Sequence, residues 1–208
     1  KKIDRLLPEI QKSDGIYKEI YRWYYIKTIL AAYDSKQYSW NKNKLVENTT
    51  VKLPNNIDLW SIDHFKIVVN EQLNLLFKQD QLLKQTKLSG IKDLAFFDEI
   101  DHNLNQSVYE FFVINFINEY SYNSSIIQPL NDELFRFDSS FHQQKIIFPP
   151  KNDDLKNELG KKAVELFQKL EAYYISTNQN KALHKIRYLR FEKYAKDKSA
   201  EGDTFQNL

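Results

Sequence analysis

Between Ser61 and Lys87, apolar pairs return every seven residues: Val68-Val69, Leu75-Leu76 and Leu82-Leu83, with Ser61-Ile62 as a half-apolar first member. Phe65 and Leu73 fill in between. Seven residues make nearly two helical turns, so this spacing builds one wide apolar face. Asn70, Glu71, Asn74, Lys78, Gln81 and Lys84 fall on the other side. The pattern predicts a single helix from Ser61 to Lys87, about 40 Å long at 1.5 Å per residue. The stripe is wider than a coiled-coil seam, and Gln72 and Gln79 interrupt its other edge. It reads as the spine of a globular bundle and not as a dimerising zipper. The segment Val108 to Tyr120 is expected to pack on it, burying Leu76 and Leu83.

The rest of the chain offers further helical faces. After a lead-in at 1–12, interrupted by Pro8, Ser13-Asp14 supplies a helix start. Ile16, Ile20, Trp23, Leu30 and Tyr33 then share one side up to about Tyr33, and Asp34 to Asn56 reads as a connector. Lys92 to Leu104 is a further helical segment. Ser107-x-x-Glu110 has the form of a capping box, and the helix it opens is apolar nearly all round. Leu155, Leu159, Ala163, Leu166, Leu170 and Tyr173 recur at spacings of three and four. Thr177-Asn178-Gln179-Asn180 breaks that helix, and a last one runs from Lys181 to about Lys196. The pair 154–175 and 181–196 is expected to form an antiparallel hairpin.

These segments predict a mostly α fold: an irregular helical bundle of about six helices, with short extended segments near 47–53 and 144–148. The expected organisation is a helical core at 1–125, then a connector, hairpin and tail at 126–208, or one continuous domain. Aromatic residues at 14% and only 4 Gly and 5 Pro in 208 residues fit a packed helical protein better than a disordered or turn-rich β chain. The absence of cysteine excludes disulfides, thiol catalysis and Cys-ligated metal. No apolar run reaches the roughly 18 residues of a membrane helix, so no membrane span is expected. Methionine is absent, initiator included, so the chain reads as a processed form or a fragment. A net charge of +2 makes the whole molecule no magnet for polyanions.

Local constellations narrow the chemistry. Asp98, Glu99 and His102 share a helix face and are the candidate metal ligands, since helical di-iron sites use Glu-x-x-His. Such sites need that motif twice, and here it occurs once; Asp63-His64 lacks the spacing. No Gly-rich phosphate loop, nucleophile elbow or His-Glu-x-x-His is present, and no cofactor is implied. In the last helix Lys181, Lys185, Arg187, Arg190, Lys193, Lys196 and Lys198 face only Glu192 and Asp197, with Tyr188, Phe191 and Tyr194 interleaved. Such a helix can track phosphates and stack on bases, dock on an acidic partner, or lie solvated over a core. The candidate binding residues are Lys181, Lys185, Arg187, Arg190, Lys193 and Tyr194.

Two partial resemblances follow. Arg136 and His142, separated by five residues, resemble the Arg-x(4–6)-His spacing of HEPN ribonucleases, which are helical; Phe137 stands where that family usually has a polar residue. An extended segment, a proline and an Asn/Asp helix start recur at Val51–Asp58 and Ile146–Asp154, an alternation similar to that of type I restriction specificity subunits. It covers a few residues and no diagnostic motif. The leading expectation is a non-enzymatic interaction or scaffold protein with a protein partner, part of a larger assembly. Behind it stand a nucleic-acid-binding module using 181–198 and a metal-dependent or HEPN-like helical enzyme.

Overall fold

The computed structural model describes residues 3–40, 56–91, 106–122 and 158–189. The fold is mostly α, as the sequence predicts, and no strand occurs among the described residues beyond an isolated bridge between Lys87 and Ser107. No helix among them is long and apolar enough to cross a membrane. The expected extended segments and the helix at 92–104 lie outside the described residues. The chain divides into two compact units, Lys1–Thr86 and Lys87–Leu208.

The first unit is built on α2, Gly15–Trp40, which packs against α1, Ile3–Lys12, on one side and α3, Ile62–Phe77, on another. Gly15 makes the turn out of α1 with φ +51°, a left-handed conformation that strains any residue with a Cβ. Ile20, Trp23, Ile26, Ile29, Leu30 and Tyr33 of α2 are buried. The helix runs on to Trp40, through residues that read as connector. Between α2 and α3 lies a polar tie: Arg22 Nε bonds the Glu19 carboxylate at 2.9 Å while its Nη1 bonds Gln72 Oε1 of α3 at 2.9 Å. Glu19 and Arg22 are both buried.

The single helix expected from Ser61 to Lys87 is two helices. α3 ends at Phe77, and α4, Asp80–Gln85, restarts after Lys78-Gln79. Gln79 has ψ +29°, and its N–H reaches back only three residues, to the Leu76 carbonyl at 3.2 Å. Asp80 favours a restart, because an acid in a first turn faces the positive end of the helix dipole, and it pairs with Lys84 at 2.7 Å. The apolar stripe survives the break. Phe65, Val69, Leu73, Leu76 and Leu83 are all fully buried, and Leu75 is the exposed member of its doublet.

α3 opens on a capping box centred on Ser61, with His64 in the third helical position. Trp60, just before the cap, packs edge-on against Phe65 at 5.0 Å between ring centroids, a hydrophobic staple. Phe65 in turn meets Tyr33 of α2 at 5.4 Å.

In the second unit, α5, Val108–Tyr122, packs on α6, Glu158–Ser176. Val108, Tyr109, Phe112, Val113, Phe116 and Ile117 are buried, as a helix apolar nearly all round requires. The expected Ser107–Glu110 capping box is present. Glu110 Oε2 accepts from the Ser107 N–H at 2.6 Å, the Ser107 hydroxyl at 2.7 Å and the Gln106 N–H at 3.0 Å. The Glu110 N–H donates to Ser107 Oγ at 3.3 Å.

Candidate interaction surface

The C-terminal hairpin is set by its turn. α6 ends in a Schellman motif: the Asn178 N–H bonds the Ile175 carbonyl at 3.2 Å and the Gln179 N–H bonds the Tyr174 carbonyl at 2.9 Å. Asn178 sits at φ 56°, the left-handed position usually given to Gly. Replacing Asn178 by Ala should cost about 1 kcal/mol and replacing it by Gly should be nearly neutral, read from the change in hydrogen-exchange protection of the α6 amides.

A last helix, α7 at 180–189, follows at once. Glu171 lies eight residues before Gln179 and Arg187 eight after, and the two meet at 3.5 Å. That symmetric contact brings α7 back alongside α6. Ala182, Leu183 and Ile186 are buried, so α7 has one face committed to packing.

The opposite face carries Lys181, His184, Lys185 and Tyr188, all exposed and spaced as one side of a helix. Tyr188 is 62% exposed, more than any other large hydrophobic residue among those described. Of the candidate binding residues, Lys181 and Lys185 lie on this outer face, whereas Arg187 is half-buried and turned to Glu171. Arg190, Lys193 and Tyr194 lie outside the described residues. His184 is not among those candidates, but its spacing of three from Lys181 places it on the same side. Between Ala172 and Phe191 the chain has no Asp or Glu, so the sign of this surface is set by the sequence around it.

The metal candidates Asp98, Glu99 and His102, and the pair Arg136 and His142, lie outside the described residues. Among the described residues no group of three His, Asp or Glu could hold a metal ion. One contact has the form of a nucleophile and its base: Ser61 Oγ lies 2.8 Å from His64 Nδ1. That nitrogen also accepts the Ser61 backbone N–H at 2.9 Å, so the contact is accounted for by helix capping. No family model, no curated protein and no solved structure matches the chain.

Proposed function

We propose that this chain is a non-enzymatic helical interaction protein, a component of a larger assembly, which meets a protein partner through the outer face of α7. One observation carries the reading: Lys181, His184, Lys185 and Tyr188 form an exposed basic face around a large aromatic ring, backed by buried Ala182, Leu183 and Ile186. Tyr is favoured at interfaces because it offers a large, stiff surface with a polar tip. The surrounding positive charge suits an acidic partner.

A second reading is single-stranded nucleic acid, and the acid-free run from Ala172 to Phe191 favours it. Lysines would follow the phosphates while Tyr188 stacks on a base, an interaction of about 1–3 kcal/mol.

One experiment separates the two. The tagged chain is used for native capture with and without nuclease, beside a variant carrying Lys181→Glu, Lys185→Glu and Tyr188→Ala. The protein reading expects a defined partner that resists nuclease and is lost about tenfold in the variant. Capture abolished by nuclease turns the result to the second reading. Equal capture by both chains overturns both.

A further inference from the structure

The capping box of α3 holds His64 where such boxes usually carry Glu or Gln. Its Nδ1 accepts the Ser61 backbone N–H at 2.9 Å and lies 2.8 Å from the Ser61 hydroxyl. A backbone N–H can only donate, so Nδ1 holds a lone pair and the neutral ring carries its proton on Nε2.

We propose that the start of α3 is a proton-operated latch, closed while His64 is neutral and opened when it is protonated. An imidazolium has no acceptor. The Ser61 hydroxyl can rotate to accept from the new Nδ1–H, but the Ser61 N–H cannot reverse and is left against a like donor in a buried residue. The next contacts in line are the staple of Trp60 on Phe65 and the packing of Phe65 on Tyr33, so loosening the cap loosens the hold of α3 on α2 at this end.

The groups around His64 bear on the proton as follows. Burial disfavours the imidazolium and outweighs the nearby Asp63 carboxylate, which favours it, so His64 is held below the ordinary histidine range. Asp63 is exposed and on the same helix. The turn before the cap brings Asp58, also exposed. From α2, Tyr33 is the titratable group in this chain of contacts, while Glu19 is engaged by Arg22, which also bonds Gln72, eight residues further along α3. A depressed value in the fold means that the cap contributes fully above the unfolded value of 6.5 and is lost as pH falls through the folded one.

Hydrogen exchange on the full chain tests this, with rates corrected for the intrinsic effect of pH. From about pH 7 to about pH 5, the His64 and Phe65 amides should lose about fivefold in protection relative to Leu73 and Leu76. The variant His64→Gln keeps an acceptor without a proton to gain and should hold its protection throughout. His64→Ala should be low at both ends. A flat wild-type profile overturns the latch, and so does an equal fall in wild type and His64→Gln.

Discussion

Replacing Arg22 by Ala lowers the stability of the first unit by about 3–5 kcal/mol near neutral pH, the usual cost of leaving one member of a buried ion pair alone. The guanidinium holds the Glu19 carboxylate and Gln72 at once, so its loss strands a buried charge and an amide together. Burial already pushes the Glu19 carboxyl up from its ordinary value, against the lowering influence of Arg22. Without Arg22 the carboxyl is easier still to protonate. The loss should therefore shrink at acid pH, where Glu19 takes up a proton and ceases to be an orphan. Replacing both residues, Glu19→Leu with Arg22→Met, should recover most of the stability, because the pair's own desolvation disappears with it. All three tryptophans, at 23, 40 and 60, lie in the first unit, so tryptophan emission during urea unfolding follows that unit alone. A single variant as stable as wild type would show that the pair is not buried in solution.

Removing the Glu110 side chain as Glu110→Ala costs the second unit about 2–4 kcal/mol. It leaves the Ser107 N–H and hydroxyl and the Gln106 N–H without their acceptor at the start of α5. The conservative Glu110→Gln reveals a different property. Glu110 is fully buried, and its Oε1 lacks a hydrogen-bond partner among the described residues, although the Tyr174 hydroxyl stands beside the carboxyl. Burial pushes its carboxyl up, more strongly than the Ser107, Gln106 and Tyr174 contacts pull it down. Tyr174 is pushed up in turn, by burial first and by the Glu110 charge second. A raised value in the fold means that the contribution is whole below the unfolded value of 4.5 and is lost as pH rises through the folded one. The stability of the second unit, read from hydrogen exchange of the buried α5 amides, should fall with rising pH above the ordinary carboxylate range. Glu110→Gln should flatten that slope, and an unchanged slope would assign it to another group.

The helical faces were legible because burial follows periodicity. Val69, Leu76 and Leu83 fall in the core, as the seven-residue recurrence requires. The same recurrence concealed the break at Lys78-Gln79, since two helices sharing one apolar face repeat in the same way as one. The extension of α2 to Trp40 was hidden behind Asp34 and Ser35, which compete locally with the helix and look like its end. Ser107–Glu110 was readable from its residues. Ser61–His64 was not, because histidine in the third position falls outside the usual Glu or Gln. The environment of Glu110 depends on Tyr173 and Tyr174, more than sixty positions away, and local pattern carries no such information. The binding candidates were legible as a basic helix. Only the packing of Ala182, Leu183 and Ile186 separates Lys181, Lys185 and Tyr188, which face out, from Arg187, which does not.

The Asn178 turn also bears on the order in which the molecule assembles. Contacts across it, such as Glu171 with Arg187, span sixteen residues, while the tie from Arg22 to Gln72 spans fifty. Closing a short loop forfeits less chain entropy, so the contact between Glu171 and Arg187 is expected to form before the α2–α3 pairing. On that order, substitutions at Asn178 are expected to change mainly how fast the second unit forms, and substitutions at Arg22 mainly how long the first unit lasts once formed.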